Sequence, residues 1–574
     1  MNKVKRYYAI AILGIVISIV AGFFSQLQGD SAKDRYFEVS QNIKLFGRIY
    51  KAVTDRYIEE IDAEKFIRAG IDGMLDELDP YSVYLEKEGS DEIRLMTRGK
   101  YYGVGMRIVM RNGWATVAEQ PFPNSPAARA GIREGDQIIK VDGESTKNLS
   151  LSETASRLRG TEKGSEVQVK IRRVGEEEPL LFTLIRDEIV ITEIEYSGFV
   201  EPGIGLIKLS RFNRGAGDQL GEAITSLKER GMEALILDLR GNPGGLLDIA
   251  VEVADHFVGK GELIVYKQGR FENSKQEYYS RHESTWGERP LVILVNELSA
   301  SASEIVAGAM QDLDRAIIIG SKSYGKGLVQ TVVPLDRRGE KQLKITTDAY
   351  FIPSGRLIQR DDVFESGPRS VFLGKQEENQ NKSDTLVQGD DKLFYTENGR
   401  VVYGHGGITP DIEQKNFKLN RYEIELIRKS MFFNFSLKYS AEHPDLSRDF
   451  AVNDQVLHRF QIFINNKGFD YKPDGYDAVE ELKRVSREDG YYDIIADQVE
   501  ALDKQFDDVK EKQKQKSQEH LKLFLEREIL GKAFGKDAYY SATFKADSTL
   551  ITAVNVLKDP HRYDEILHNG GKKQ

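Results

Sequence analysis

The chain has 574 residues, 40% of them hydrophobic and 30% charged, a composition typical of several folded, soluble domains. Its formal net charge of -10, from 81 basic and 91 acidic residues, is small for this length, and no basic domain indicates a nucleic-acid partner. The absence of cysteine excludes disulfides, thiolate metal sites, a cysteine nucleophile and a lipid-bearing cysteine, so covalent chemistry must use serine, threonine, lysine or a carboxylate.

The N-terminal residues 1–30 have the pattern of a membrane-targeting segment. Lys3, Lys5 and Arg6 precede an uncharged apolar stretch from Tyr7 to Phe24, close to the roughly 20 residues that span a bilayer. Positive charge before such a stretch favours an N-terminus left inside and export of the rest of the chain. Because the stretch is not succeeded by an A-x-A cleavage site, the pattern favours a signal anchor over a cleaved signal peptide.

The next two regions differ in periodicity. Apolar residues at three- and four-residue spacings predict a helical segment over residues 31–86, with a second helix opening at Asp62. Residues 87–187 change to short strands and turns with two helical stretches, one of them capped by Ser150 or Ser152.

Residues 188–414 alternate between apolar strands and helices, which predicts a largely parallel sheet covered on both faces. Residues 415–574 are mainly helical and charge-rich. They could form an interaction platform, an oligomerisation element, a lid or a structural appendage. The predicted fold is therefore multidomain α/β.

Three strand ends of this alternating region carry unusual loops. The strand "ALILDLR" is followed by a glycine loop, Gly241–Gly245, and "LVILVN" by alternating serines, Ser299, Ser301 and Ser303. The strand "AIIIGS" is followed by Lys326 between two glycines. Because the carboxyl ends of parallel strands meet at one edge of a sheet, we expect these loops to be neighbours.

Such a trio can perform acyl transfer. A serine hydroxyl is a weak nucleophile until a base takes its proton, and a desolvated lysine can act as that base. Backbone amides of a glycine loop and of a helix start can stabilise an oxyanion. A simpler interpretation of Ser301 is a capping box with Glu304.

A histidine-based triad has less support in the sequence. None of the eight histidines lies in these loops, and the G-x-S-x-G elbow is absent. The local sequence around His256, His282 and His405 does not indicate catalysis, although the fold could bring any of them close to these loops.

Seven motifs in order resemble those of the C-terminal processing peptidases, or tail-specific proteases, which are serine peptidases with a Ser–Lys dyad and an embedded PDZ domain. The resemblance covers roughly Tyr36 to Ile412. The motifs are "LDPYSVYL", "NSPAARAGIREGDQIIKVDG", "LILDLRGNPGG", "NELSASASEIVAGAMQD", "SKSYGKGLVQ", "YFIPSGRLIQ" and "GGITPDI".

The resemblance implies specific roles in catalysis. The nucleophile falls on Ser301, the general base on Lys326, and Gln330 matches a family glutamine that orients the lysine. The oxyanion hole would use the Ala302 amide and one from Gly244 or Gly245. No metal or organic cofactor is implied.

The resemblance also implies a domain order and partners. The PDZ domain falls on residues 87–187 and the protease core on 188–414. Exposed amides of a PDZ loop can hold a terminal carboxylate while the peptide adds as a strand. The expected partners are protein or peptide substrates with accessible C-termini, an adaptor or activator, and a second copy of the chain, in the bacterial periplasm or cell envelope at the inner membrane. The carboxylate-binding loop consists of Tyr102, Gly103, Val104 and Gly105.

Two other functions stay open from the sequence. One is a catalytically silent PDZ scaffold that binds protein tails. The other is an acyl-thioester enzyme of the crotonase type, whose oxyanion loops are similar but which lacks an inserted PDZ domain.

Overall fold

The computed structural model describes residues 36–360, 393–414 and 418–569. The chain divides into two compact units, Met1–Tyr84 and Leu85–Gln574. Helices form most of the described part of the first unit, while the second combines several sheets with helices. This arrangement confirms the predicted multidomain α/β fold.

The first unit contains helix α1, residues 36–56, and helix α2, Ala63–Asp76. Asp62 caps α2 by accepting hydrogen bonds of 3.1 Å from the amides of Glu64 and Lys65. The apolar periodicity thus predicts helices correctly, yet no residue of α2 is buried.

No helix within the described ranges is long and apolar enough to cross a membrane. The predicted signal anchor, residues 1–30, lies outside those ranges.

The PDZ-like part of the second unit is an antiparallel sheet flanked by short helices. Its elements, with one strand that precedes it, are β1 (Val83–Leu85), α3 (Lys87–Arg98), β2 (Lys100–Gly103), β3 (Ile108–Arg111), β4 (Trp114–Val117), α4 (Pro126–Arg129), β5 (Gln137–Val141), β6 (Glu144–Ser145), α5 (Leu151–Leu158), β7 (Glu166–Arg172), β8 (Leu180–Ile185) and β9 (Asp187–Val190). The strand order is β3-β4-β5-β7-β8, with β6 paired to β5 and β2 paired to β9. Ser150 and Glu153 form a reciprocal capping box at α5, so Ser150 is the cap.

The protease-like part alternates strands and helices. Its elements are β10 (Ile194–Glu201), β11 (Ile204–Leu209), α6 (Ala216–Glu229), β12 (Ala234–Asp238), α7 (Leu247–Asp255), β13 (Leu263–Gly269), a 3₁₀ turn (Glu272–Ser274), β14 (Gln276–Tyr279), β15 (Leu291–Val295), α8 (Ala302–Asp312), β16 (Ile317–Gly320), β17 (Leu328–Pro334), β18 (Gln342–Phe351), β19 (Leu393–Tyr395), β20 (Val401–Tyr403) and β21 (Ile412–Glu413).

The central sheet has the order β10-β11-β12-β15-β16-β21, parallel except for β10. Every residue of β12, β15 and β16 is buried, as a sheet covered on both faces requires. A second, antiparallel sheet brings together β17, β18, β13 and β14, and β19 pairs with β20. The predicted parallel sheet is therefore confirmed.

The C-terminal part is helical. Its elements are α9 (Arg421–Arg428), α10 (Met431–Glu442), α11 (Asp454–Asn466), α12 (Tyr476–Glu488), α13 (Tyr492–Lys516), α14 (Gln518–Phe534), α15 (Lys536–Phe544), α16 (Ser548–Leu557) and α17 (Pro560–Asn569). An aromatic cluster that includes Phe432, Phe435, Phe460 and Phe524 joins four of these helices, α9, α10, α11 and α14, into one core.

The last helices of the chain complete the protease sheet. Apolar side chains of α16 and α17 pack on one face of β11, β12, β15 and β16. The Tyr563 hydroxyl accepts a 3.0 Å hydrogen bond from the Leu291 amide and lies 3.1 Å from the Leu291 carbonyl. The C-terminal region is thus no solvated appendage, because it supplies one of the two layers that a parallel sheet needs.

The C-terminal helices also contact the PDZ-like part. The Lys532 ammonium lies 2.6 Å from the Glu134 carboxylate, with 9% and 10% of these two side chains exposed. The Arg111 guanidinium stacks 3.2 Å from the centre of the Phe433 ring. The helical C-terminal part therefore touches both the PDZ-like part and the protease-like part of the chain.

Candidate active site

The three predicted loops meet at the edge of the central sheet. They follow β12, β15 and β16, which are adjacent in the sheet. The Ala300 amide donates a 3.1 Å hydrogen bond to the Asn242 carbonyl, and the Tyr324 amide donates one of 3.0 Å to the Ser299 carbonyl. The serine run therefore lies between the glycine loop and the lysine loop, as the strand pattern predicts.

The three serines have different environments. The Ser299 hydroxyl donates to the Leu239 carbonyl at 2.8 Å, and the Ser303 hydroxyl donates to the Asn242 carbonyl at 2.9 Å. Both residues are fully buried; Ser299 thus binds the chain just before the glycine loop, and Ser303 binds the loop itself. Ser301 is only half-buried, and its hydroxyl donates to no acceptor within the described ranges. Ser301 is therefore the serine whose hydroxyl is available for chemistry.

The Ser301 backbone has a strained conformation. Its φ of 55° and ψ of -113° lie where side chains other than glycine rarely occur. Such conformations cost on the order of 1–3 kcal/mol and cluster at functional sites. Ser301 is also the N-cap of α8 and forms the predicted capping box with Glu304, so the capping and nucleophile interpretations are compatible.

Glu304 joins the serine loop to the lysine loop. Its buried carboxylate accepts hydrogen bonds from the amides of Ser301 at 2.8 Å, Gly325 at 2.6 Å and Lys326 at 2.9 Å. The Ser323 hydroxyl donates a fourth bond of 2.5 Å. One side chain thus fixes the backbones of both predicted dyad residues.

Tyr350 provides a second link between the same residues. Its buried hydroxyl lies 3.1 Å from the Ser301 carbonyl and contacts the Lys326 carbonyl. The Lys326 side chain is half-buried, and its flanking glycines pack closely against residues from other loops. The Ser301 and Lys326 backbones are therefore held together from two sides.

The glycine loop lies directly against Ser301 and Ala302. Asn242 anchors it, since its Nδ2 donates to the Leu209 carbonyl and its Oδ1 accepts from the Gly244 amide, each at 2.9 Å. A Cβ atom on Gly244 would lie 2.9 Å from the Ala302 nitrogen. The amides of Ala302 and Gly245 meet no hydrogen-bond acceptor in the part of the chain that the structure describes.

An ion pair precedes the glycine loop. The Arg240 guanidinium donates to both carboxylate oxygens of Asp238, at 2.9 and 2.7 Å. Burial alone would raise the pKa of Asp238, but the Arg240 and Lys208 charges outweigh it and hold that pKa well below its usual range. The same pairing raises the pKa of Arg240 despite its burial. Both groups are therefore charged at all working pH values.

Four residues of this site are not identified as site residues by the sequence patterns: Asp238, Arg240, Glu304 and Tyr350. A signal exists for the first two, because a charged pair closes the otherwise apolar strand "ALILDLR". The spacing predicts Glu304 only as part of a cap. Nothing local marks Tyr350, whose partners lie 49 and 24 residues away in the chain.

Gln330 is on β17, and its amide nitrogen donates bonds of 3.3 Å to the Leu328 carbonyl and the Thr346 hydroxyl. Orientation of Lys326 by Gln330 stays a prediction.

The histidines have other partners. His256 bonds Thr285 and the Gly217 carbonyl, and His282 bonds Asp255 at 2.6 Å. No hydrogen bond among the described residues joins them or His405 to Ser301.

The PDZ-like part contains an open loop and a groove. After Tyr102 and Gly103 at the end of β2, the amides of Val104 and Gly105 donate to no acceptor within the described ranges, whereas the Gly105 carbonyl accepts from the Phe122 amide at 2.9 Å. Next to this loop lies a groove of about 520 Å³ between the β3 segment and α5. Free amides at the end of a groove suit a peptide carboxylate.

Glu304 should give protein stability an unusual pH dependence. Burial raises its pKa to about 7, although four hydrogen bonds favour the ionised form. Because this exceeds the ordinary value of 4.5, its contribution to stability is full below pH 4.5 and is lost as the pH rises to about 7. We expect the free energy of unfolding of wild type, relative to Glu304→Gln, to fall by roughly 3 kcal/mol across this window.

Denaturant titrations at several pH values measure this difference. Glu222→Gln, at an exposed position of α6, is the matched control and should show no such trend. A difference between wild type and Glu304→Gln that stayed constant from pH 4.5 to 7 would contradict the raised pKa.

Models of four protein families match this chain. Peptidase family S41 matches residues 203–365, and a PDZ domain matches 117–173. The C-terminal helical domain of a probable PDZ-protease matches 422–557, and the N-terminal domain of the activating protease CtpB matches 23–89.

Several similar proteins are named as C-terminal processing proteases. A carboxy-terminal-processing protease of Bartonella bacilliformis is 39% identical over 318 residues, which cover 55% of this chain and 72% of that protein. The carboxy-terminal processing protease CtpB of Bacillus subtilis is 31% identical over 357 residues, 59% of this chain and 72% of that protein. A solved photosystem II D1 C-terminal processing protease is 26% identical and has a TM-score of 0.31, with 65% of this chain and 92% of that chain covered. This chain therefore belongs to the carboxy-terminal processing proteases and is a serine-type peptidase with a PDZ domain.

Proposed function

We propose that this processing protease is an exported endopeptidase in which Ser301 and Lys326 form the catalytic dyad and the PDZ-like part captures substrate C-termini. The observation that supports the dyad most is the double link between the Ser301 and Lys326 backbones through Glu304 and Tyr350. Among the described residues the Ser301 hydroxyl donates to no acceptor, whereas those of Ser299 and Ser303 donate to backbone carbonyls, and this difference supports the choice of nucleophile.

In the proposed reaction, the Ser301 hydroxyl attacks the peptide carbonyl while the neutral Lys326 amine takes its proton. The Ala302 amide and a glycine-loop amide stabilise the oxyanion. Because the Gly244 amide is bonded to Asn242, the Gly245 amide is the better candidate for the second donor. Lys326 then returns the proton to the leaving amine, and water hydrolyses the acyl-enzyme.

A cleft joins the PDZ-like groove to the glycine loop of the proposed catalytic site. It has a volume of about 1410 Å³ and shares Arg107, Leu151, Ala155, Arg159 and Ile191 with the PDZ-like groove. Its other end is lined by the start of the glycine loop. A substrate polypeptide whose terminal carboxylate binds the Val104 and Gly105 amides can therefore extend through the cleft toward the glycine loop.

Carboxylate capture should produce a preference for a free C-terminus. We expect wild-type protein to cleave a disordered polypeptide with a free C-terminus at least tenfold faster than the same polypeptide with an amidated one, since amidation removes the charge that the loop amides bind. The measurement is the initial rate of product formation by mass spectrometry.

The outcomes separate the alternatives. Equal rates would remove carboxylate capture but leave the peptidase. Absence of any cleavage would favour a silent PDZ scaffold, and hydrolysis of a thioester but of no peptide would favour crotonase-type chemistry.

Several other features of this protein stay predictions. These are attachment to the inner membrane, location in the periplasm or cell envelope, an adaptor or activator, a homo-oligomer, and the domain boundaries after residues 30, 86, 187 and 414.

A further inference from the structure

Arg240 is held between two carboxylates, and one of them comes from the far end of the chain. Besides Asp238, its guanidinium donates to both oxygens of Asp547, at 2.9 and 2.7 Å. The side chains of Arg240 and Asp547 are 16% and 14% exposed, so solvent screens this pair only weakly. Two bidentate pairs on one guanidinium fix both its plane and its position.

Asp547 is itself firmly placed. It is the N-cap of α16 and accepts a 3.0 Å hydrogen bond from the Leu550 amide. The position of α16 is set in turn by its apolar side chains, which pack on the central sheet. The carboxylate is therefore a fixed point supplied by the C-terminal region at the edge of the protease site.

Arg240 directly precedes the glycine loop, so its fixed position also fixes the start of the loop. Its carbonyl accepts a 3.1 Å hydrogen bond from the Lys208 ammonium, and Gly241, the next residue, donates its amide to Asn296 at 2.9 Å. The loop continues to Gly244, which lies against Ser301 and Ala302, and to Gly245, which lies against the Phe212 backbone. A shift of the Arg240 backbone would displace the oxyanion donors, and misplacement by about 1 Å costs on the order of 10²-fold in rate.

We propose that Asp547 is a positioning residue for peptide hydrolysis. It acts through Arg240 on the glycine loop, so the C-terminal helical region would contribute to the geometry of the active site. The inference rests on the proposed function, because it requires that the glycine loop stabilise the oxyanion formed by attack of Ser301.

Kinetics of Asp547→Asn in the full-length chain test this inference. Asparagine caps helices as well as aspartate does, so α16 should keep its start while the charge and one acceptor oxygen are lost. We expect kcat on a disordered polypeptide to fall at least tenfold, with KM within twofold of wild type and a decrease in Tm no larger than that of a lost helix cap. Asp547→Ser also keeps a cap but cannot reach Arg240, and it replaces the asparagine variant if that variant does not fold.

Two controls make the result decisive. Asn453→Ala removes the cap of α11, which accepts from the Val456 amide, and should lower Tm without lowering kcat. A kcat of Asp547→Asn within twofold of wild type would overturn the inference, as would a loss of kcat in Asn453→Ala as large as that in Asp547→Asn, because kcat would then follow stability alone. Ser301→Ala tests the proposed function separately from the role of Asp547. Full activity of that variant would overturn the proposed function itself.

Discussion

Replacing Ser301 or Lys326 with alanine should abolish turnover of a disordered substrate while the protein stays folded. The first change removes the attacking oxygen and the second removes the base that takes its proton, so we expect kcat to fall by roughly 10⁴-fold or more. The double variant should be about as inactive as either single variant, because residues that act as one unit are not additive.

Rates by mass spectrometry and circular dichroism spectra check these expectations together. Ser321→Ala and Lys322→Ala are matched controls in the same loop as Lys326. The Ser321 hydroxyl bonds the Glu297 carboxylate at 2.8 Å, and Lys322 is exposed, so both variants should keep wild-type rates. If Ser301→Ala or Lys326→Ala cut as well as wild type, the dyad assignment would be wrong.

The second large effect is expected for Gly244→Ala. The new Cβ would lie 2.6 Å from the Ala300 carbonyl oxygen and 2.9 Å from both the Ala302 nitrogen and the Ser301 Cβ, distances that require the backbone to move. It would fill the space in front of the Ala302 amide. Since the loss of one oxyanion donor costs about 10²–10³-fold in kcat, we expect a decrease of at least that size.

Gly231→Ala is the matched control for Gly244→Ala. The two glycines have φ values of 93° and 97°, but a Cβ on Gly231 would meet no atom within 4 Å. Both variants should therefore lose about 1–2 kcal/mol of stability from the left-handed backbone, and only Gly244→Ala should lose activity. Comparable kcat values for the two variants would show that the space beside Ala302 is not needed for catalysis.

The sequence predicts the sheet and the meeting of its three loops well, because both depend on local patterns. Apolar strands that alternate with helices indicate a parallel sheet, and the carboxyl ends of its strands must share an edge. The adjacency of β12, β15 and β16 confirms this reasoning. Among the three serines, the pattern alone could not choose, and only the family resemblance pointed to Ser301.

The network that holds the site could not be predicted, because its contacts join segments far apart in the chain. The spacing of Ser301 and Glu304 predicts a capping box, but the bonds from Glu304 to Gly325 and Lys326 span 21 and 22 residues. Asp547 reaches Arg240 across 307 residues. Local periodicity contains no information about such pairs, so the role of the C-terminal region could not be read from its charge-rich helices.

The packing of α16 and α17 on the central sheet has a consequence for biosynthesis. Chains are made from the N-terminus, and domains tend to fold in that order. The sheet face that includes Ile236, Val292 and Ile319 is covered only after the residues of α16 and α17 have emerged. Arg240 gains its second carboxylate at the same late moment. A nascent polypeptide that has not yet reached α16 and α17 therefore lacks both the cover of this sheet face and the second carboxylate of Arg240, so both contacts form after the sheet itself has been synthesised.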